Sequence, residues 1–209
     1  LSLIGVVTLS PAVDVTYQLA SVQLGEVHRV EAVTKAPGGK GLNVARVLKK
    51  LRSKAVLHAP LGGATGLWIK DQLASLEVEL IATHIAAETR SAVAIVAQET
   101  SVLNEPASAI TETELVDLES KLASYEFVVV TGSVPVSVSV ERFGKLLESI
   151  RQKSKLLLVD TTGDYLIAAS KHADYLKPNL EELLAATGLG QEQAVAKLRE
   201  HGAKVILSL

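Results

Sequence analysis

The chain has 209 residues, a formal net charge of −2 and 48% hydrophobic residues, which suffices for one domain with a sizeable core and argues against disorder. This charge and an aromatic content of 3% offer no electrostatic footprint or stacking platform for nucleic acid, so we expect no nucleic-acid partner. The absence of cysteine excludes disulfides and thiolate chemistry, and no apolar run approaches a membrane span, so we expect a cytoplasmic protein with no membrane partner.

In the N-terminal half, apolar runs over residues 3–9 and 55–61 predict buried strands, because the runs are continuous rather than alternating. Apolar residues recur at helical spacing over 44–51. Two further regions, about 13–36 and 92–107, contain strand-like fragments without an intervening helix. Together these two regions predict a small discontinuous β lid that covers a site.

In the C-terminal half, strand-like and helical patterns alternate. They predict a helix over 112–124, a strand over 127–131, a helix over 140–151, a strand over 155–159, helices over 179–186 and 191–201, and a strand over 204–209. The alternation predicts one α/β domain over residues 1–209, with a doubly wound, mostly parallel sheet and helices on both faces. The last strand has no covering helix and the chain lacks methionine, so we expect a C-terminal part of the fold to be missing.

A glycine-rich turn over 37–43 leads directly into the first predicted helix. Gly38, Gly39 and Gly41 allow the backbone to approach a ligand, the helix N-terminus offers unpaired N–H groups, and Lys40 adds a full charge. These parts suit an anionic or polyhydroxylated small molecule, although the turn alone is equally compatible with a simple helix start. The spacing matches neither a Walker A loop nor the G-x-G-x-x-G fingerprint.

Small and polar residues follow the predicted strands, at the edge of a parallel sheet where ligands bind. They are Thr8, Ser10 and Asp14 after the first strand, Gly62, Gly63 and Thr65 after the second, Gly132 and Ser133 after the third, Asp160, Thr161 and Thr162 after the fourth, and Asn179 and Glu182 further on. We expect these residues to build one crevice.

Seven short motifs resemble, in order, those of the PfkB (ribokinase-like) sugar kinases. They occupy residues 8–14, 37–43, 62–66, 103–106, 132–135, 160–163 and 177–182. The most similar branch holds 1-phosphofructokinase and tagatose-6-phosphate kinase. The resemblance implies a ribokinase-like fold and phosphoryl transfer from ATP, with Mg²⁺, to a ketohexose phosphate, foremost fructose 1-phosphate to give fructose 1,6-bisphosphate. Tagatose-6-phosphate kinase is the alternative.

The resemblance also assigns the sugar to residues near the glycine-rich turn. Asp14 resembles the carboxylate that accepts hydrogen bonds from sugar hydroxyls, although an Asp here also suits a plain turn. Gly38, Gly39, Lys40 and Asn43 resemble the main sugar-binding turn. Lys40 suits the phosphate of the sugar as well, because an ammonium acts on phosphate as a point charge.

Three further residues are expected to bind the substrate, and two of them, Arg90 and Ser133, near that phosphate. Arg90 resembles a phosphate clamp, since a guanidinium fork fits two oxygens, and Arg29 lies in the other part of the predicted lid. A solvated surface arginine is the alternative for both. Ser133 is placed to donate to the same phosphate or serves only in a turn.

Asn179 and Glu182 resemble the element of this family that helps to hold Mg²⁺ and the nucleotide phosphates, with Glu182 acting on Mg²⁺ indirectly. Lys177 is expected to approach the nucleotide. The alternative for the pair is an N-cap Asn followed by a first-turn Glu, which is a common way to start a helix.

The chain departs from the resembled motifs at several positions. Ser10 stands where the branch usually has Asn, and Ala107 and Ser108 stand where it has Gly-Pro. The Gly-Ala-Gly-Asp motif, which supplies the catalytic base in the resembled family, does not occur in the 209 residues. We therefore assign no catalytic base and expect this chain to bind a sugar phosphate without turning it over. A non-catalytic sugar-phosphate-binding fragment is the second hypothesis, and exposed lid edges suggest a homodimer.

Overall fold

The computed structural model describes residues 3–208 as eleven strands and seven helices. The strands are β1 (Ile4–Val7), β2 (Ala12–Gln18), β3 (Ala32–Gly38), β4 (Ala55–Leu61), β5 (Glu79–His84), β6 (Ser91–Val96), β7 (Thr100–Asn104), β8 (Tyr125–Thr131), β9 (Ser154–Asp160), β10 (Tyr175–Leu176) and β11 (Lys204–Val205). The helices are α1 (Lys40–Lys50), α2 (Gly63–Ser75), α3 (Glu112–Ser120), α4 (Val140–Gln152), α5 (Gly163–Ala169), α6 (Leu180–Thr187) and α7 (Gln191–Arg199).

Seven strands form a parallel sheet in the spatial order β11-β10-β9-β8-β1-β4-β5. Alternate side chains of a strand point to opposite faces, and this divides the core in two. Val6 belongs to the core cluster that contains residues of α1 and α2, whereas its neighbour Val7 belongs to the cluster that contains residues of α3 to α7. Helices therefore cover both faces, which confirms the predicted doubly wound α/β fold.

A second sheet has four strands in the order β3-β2-β6-β7. The central strands β2 and β6 are parallel, and each has an antiparallel outer neighbour. The two regions that were predicted to lack helices, about 13–36 and 92–107, supply these strands. The register places Asp14 opposite Ala36 on one side and Ala92 on the other, so Asp14 is held in the middle of this sheet.

A buried polar pair links two strands of the large sheet across β1. His58 in β4 is 1% exposed, and its Nε2 lies 2.6 Å from the Tyr125 hydroxyl in β8. Burial lowers the pKa of His58 to about 4, because the uncharged imidazole is the form that tolerates the interior.

The predicted strand over 55–61 coincides with β4, and the predicted helix over 140–151 matches α4 within one residue. The predicted strand over 3–9 is shorter, because the chain leaves the sheet after Val7. The predicted helix over 112–124 ends at Ser120, where the serine hydroxyl donates to the Asp117 carbonyl. Of the predicted strand over 204–209, only β11 forms, and Leu209 lies outside the described residues.

Four elements were not predicted: α2, β5, α5 and β10. In α2, Leu67 is exposed while Ile69 and Leu73 are buried, so its apolar residues do not form one stripe. The seven residues of α5 and the two of β10 are too short for a periodic signal. No helix within residues 3–208 combines the length and the apolar character that crossing a bilayer would require.

Candidate active site

A cavity of about 630 Å³ opens beyond the carboxyl ends of β1 and β8, where the loops of the large sheet meet the four-stranded sheet. Polar and charged side chains from both sheets face it, together with glycines and a few apolar residues. The residues that line it are Ser10, Asp14, Gly39, Lys40, Asn43, Arg90, Ala92, Asn104, Glu105, Pro106, Ala107, Gly132, Ser133, Val134, Val136, Thr162 and Glu182.

The glycine-rich turn packs tightly against Asp14. A Cβ atom on Gly38 would lie 1.9–2.2 Å from the carboxyl atoms of Asp14, so no larger residue fits there without movement. Gly39 has a φ of +88°, which side chains rarely allow, and its N–H donates a hydrogen bond to the Asp14 carboxylate. The turn therefore fixes the carboxylate at the start of α1.

Two opposing effects set the charge of Asp14. Burial raises the pKa of this carboxyl, and the positive charges of Arg90 and Arg46, with the Gly39 N–H, lower it only in part. The pKa of Asp14 consequently lies above its ordinary value. A carboxylate in these surroundings is poorly hydrated and well suited to accept hydrogen bonds from a polyhydroxylated ligand.

No side chain caps the N-terminus of α1 within the described part of the chain. Its first-turn N–H groups stand beside the cavity, which Gly39, Lys40 and Asn43 line. Such a helix end carries a partial positive charge and attracts anions. The start of α1 therefore offers the cavity a second electropositive feature besides the charged side chains.

Lys40 bridges two carboxylates, of which Glu182 lines the cavity. Its Nζ lies 3.1 Å from Asp160 Oδ1 and 3.2 Å from Glu182 Oε1. The Lys40 side chain is 47% exposed, whereas those of Asp160 and Glu182 are only 15% and 19% exposed. Burial lowers the pKa of Lys40, but the attraction of the two carboxylates outweighs it, and the pKa lies above its ordinary value. The ammonium therefore stays charged at neutral pH.

Glu182 and Asn179 form a capping box at the start of α6. Asn179 Oδ1 accepts a hydrogen bond from Glu182 N at 2.7 Å, and Asn179 N donates to Glu182 Oε2 at 3.0 Å. Of this pair only Glu182 lines the cavity. Lys177 does not line it, and its backbone N–H continues the sheet by donating to Val159 O. The pair therefore does start the helix, and Glu182 also lines the cavity, where its Oε1 accepts a hydrogen bond from Lys40 Nζ.

Arg90 enters the cavity just before β6. Its Nε donates to Ser10 Oγ at 2.9 Å, and its Nη1 donates to Glu105 O at 3.2 Å. Burial lowers the pKa of this guanidinium, and the carboxylates of Asp14 and Glu105 counteract that effect. Arg90 is therefore a partly buried cation at the cavity, not a solvated surface arginine.

The structure brings together most of the residues that were assigned a binding role. The wider crevice expected after the strands forms only in part, because Gly62 and Gly63 line a different cavity and five others do not line this one: Thr8, Thr65, Asp160, Thr161 and Asn179. Gly38 packs against the Asp14 carboxyl group. The cavity is lined by Asp14, Gly39, Lys40, Asn43, Arg90, Ser133 and Glu182. Arg29 does not join them, because it is exposed in the loop between β2 and β3. Glu105 was not predicted as a site residue, although it lies in a recognised motif. Asp160 was expected in the crevice without a role, and the structure places it at the end of β9, where it pairs with Lys40.

Comparison with known proteins identifies the family of the chain. The sequence pattern of the pfkB family carbohydrate kinases matches residues 7–209. A curated tagatose-6-phosphate kinase from Staphylococcus epidermidis is 30% identical over 186 residues, which are 84% of this chain and 59% of that protein. The chain thus spans less than two thirds of the length of this relative.

Solved structures show the same fold. Two structures of phosphofructokinase-2 from Escherichia coli, one in complex with fructose-6-phosphate and one of its tetrameric inhibited form, match with TM-scores of 0.92 and 0.91. They are 28% identical to this chain, and the matches cover all of it and 74% of theirs. A possible 1-phosphofructokinase from Thermotoga maritima has a TM-score of 0.85 at 22% identity, over 99% of this chain and 72% of that one. At that identity the likeness concerns the fold alone.

Proposed function

This chain belongs to the pfkB family of carbohydrate kinases, and from that premise we propose that its cavity binds a ketohexose phosphate for phosphorylation by ATP. The observation that carries the proposal is that Asp14, Arg90, Lys40 and the uncapped start of α1 face one cavity. A sugar phosphate requires a hydrogen-bond acceptor for its hydroxyl groups and, beside it, positive charge for its phosphate. The cavity offers both.

The acceptor is proposed to lie against the glycine-rich turn, with its hydroxyls toward Asp14 and Asn43. Its phosphate lies toward Arg90 and Ser133, which approach the cavity from the two different sheets. Arg29 has no part in this assignment, since it does not line the cavity. We keep fructose 1-phosphate as the expected acceptor. Tagatose 6-phosphate is the alternative, which the 30% identical curated relative favours.

The nucleotide is proposed to lie near Glu182 and Lys40. No group of three or more potential metal-ligating side chains occurs within residues 3–208, which does not favour a metal cage made of protein alone. Glu182 lines the cavity, and its one carboxylate fits Mg²⁺ held through water and phosphate oxygens instead. When bound, Mg·ATP supplies the phosphoryl group and a divalent charge. Lys40 adds charge at the same place, and we assign no catalytic base.

The four-stranded sheet is proposed as a lid and as a surface for pairing with a second copy of the chain. Asp14 and Asn104 from this sheet line the cavity, which supports the role of a lid. Val33 and Val102 on its two outer strands are 53% and 56% exposed, which supports self-association.

Calorimetric binding and kinase assays test the proposal. Fructose 1-phosphate, tagatose 6-phosphate and fructose 6-phosphate are titrated into the purified protein, with unphosphorylated fructose as the negative control. ADP release is then measured with each acceptor on the protein expressed from its full reading frame. We expect one sugar phosphate to bind and to support ADP release. Binding without ADP release would favour a non-catalytic binding protein, and no binding of any of the three would refute the proposal.

A further inference from the structure

Two serine hydroxyls hold Arg90 at different points. Ser10 Oγ accepts a hydrogen bond from the guanidinium Nε at 2.9 Å. Ser108 Oγ accepts one from the Arg90 backbone N–H at 3.0 Å and donates to Glu88 O at 2.8 Å. One serine thus fixes the head of the side chain, and the other fixes the backbone from which it extends.

Both serines are themselves anchored to rigid parts of the fold. Ser10 is 2% exposed and lies just beyond β1 in the large sheet. Ser108 is tied through Glu88 to the start of α2, because the Glu88 carboxylate accepts hydrogen bonds from Thr65 N at 2.7 Å and Ala64 N at 3.3 Å. Ser10 therefore links Arg90 to the large sheet, and Ser108 links it to the start of α2.

These contacts leave part of the guanidinium available. Of its five N–H groups, Nε binds Ser10 and one on Nη1 binds Glu105 O. Nη2 makes no hydrogen bond to any residue from 3 to 208, and Arg90 lines the cavity. N–H groups on Nη1 and Nη2 therefore remain available, and a pair of guanidinium N–H groups can bind two oxygens of a phosphate.

We propose that Ser10 and Ser108 are positioning residues that hold Arg90 ready for the phosphate of the acceptor, an inference that rests on the proposed function. An arginine side chain has large rotamer freedom, and fixing it before binding reduces the entropy that binding costs. Both serines stand at positions where this chain departs from the motifs it resembles. We therefore attribute the fixed position of Arg90 to these two serines and not to the motifs that the chain shares with the family.

The expected effect is selective. Ser10→Ala and Ser108→Ala should each weaken sugar-phosphate binding roughly fivefold, since each removes the one hydrogen bond between that serine and Arg90. The affinity for Mg·ATP should not change, because neither serine contacts Lys40 or Glu182. Ser108→Thr keeps the hydroxyl and should restore wild-type affinity.

Calorimetry with the three sugar phosphates and with Mg·ATP tests the inference. Ser139→Ala is the matched control, because Ser139 caps α4 by accepting from Arg142 N and lies outside the cavity. It should lower the melting temperature without changing sugar-phosphate affinity, which separates stability from positioning. In an Arg90→Ala background, Ser10→Ala and Ser108→Ala should have no further effect on binding.

The outcomes are distinguishable. If the wild type binds a sugar phosphate but both serine variants bind it equally well, the positioning role is refuted and the proposed function stands. The positioning role is also refuted if Ser10→Ala and Ser108→Ala reduce the affinity as much in the Arg90→Ala background as in the wild type. If the wild type binds none of the three sugar phosphates, the proposed function fails and the positioning role fails with it.

Discussion

Lys40 Nζ lies 3.2 Å from Glu182 Oε1, so an ion pair joins the first residue of α1 to the first turn of α6 across the cavity. The same ammonium pairs with Asp160 at 3.1 Å. The sequence suggested that Lys40 serves the sugar phosphate and Glu182 the nucleotide. Their contact indicates that the two proposed subsites share a charged boundary.

Lys40→Ala should therefore lower the affinity for the sugar phosphate and the affinity for Mg·ATP, each by about tenfold. Its removal leaves Asp160 and Glu182 partly buried without their counter-ion, which disturbs the nucleotide side as well. Lys49→Ala is the control, because Lys49 lies on α1 like Lys40 but forms an exposed ion pair with Glu77, which follows α2. Calorimetry with both ligands measures the effect. A loss confined to the sugar phosphate would remove Glu182 from the nucleotide site.

Gly38→Ala should abolish sugar-phosphate binding, because the new methyl group would overlap the Asp14 carboxyl and push it from the cavity. The strain should also lower the free energy of unfolding by about 1–3 kcal/mol. Gly190→Ala is the control, since nothing lies within 4 Å of a Cβ there and its backbone is unstrained. Urea unfolding and calorimetry of both variants test this. Wild-type binding by Gly38→Ala would show that Asp14 does not contact the sugar.

The buried His58 should make the free energy of unfolding depend on pH. The folded state keeps His58 neutral down to about pH 4, whereas the unfolded chain takes up a proton near its ordinary pKa of 6.5. The unfolded state then binds more protons below pH 6.5, so stability is lost as the pH falls. Between pH 7 and pH 5 this residue should lower the free energy of unfolding by about 2 kcal/mol.

Urea unfolding of the wild type and of His58→Gln over this pH range measures that contribution. Glutamine retains a hydrogen-bonding group for Tyr125 but does not titrate, so the variant should lose less stability between pH 7 and pH 5. Equal losses in the two proteins would mean that His58 is protonated in the folded state at pH 5.

Val102→Lys should weaken self-association through the outer strand β7, because a charge replaces an apolar side chain that is 56% exposed. Val116→Lys on α3, where the valine is 51% exposed, is the matched control and should leave association unchanged. Sedimentation velocity over a range of protein concentrations measures both. A wild-type protein that remains monomeric throughout would refute the proposed dimer.

The sequence predicted the class of fold because its strands are continuous apolar runs and most of its helices have a clear apolar stripe. It did not predict α2, where exposed Leu67 breaks the stripe, or the two residues of β10. Most site residues were recognised because they follow strands or lie in motifs. The ion pair between Lys40 and Asp160 spans 120 positions along the chain, so only the fold brings these residues together.

The parallel pairing of β2 with β6 bears on how the cavity is made during synthesis. Val13 is the register partner of Ser91, so strands about 80 residues apart must meet before the small sheet exists. Asp14 is synthesised before the segment that contains Arg90, so β2 has no β6 partner until that segment follows. The cavity should accordingly be among the later parts of the N-terminal half to become ordered, after local contacts such as those of α1 with β4 have formed.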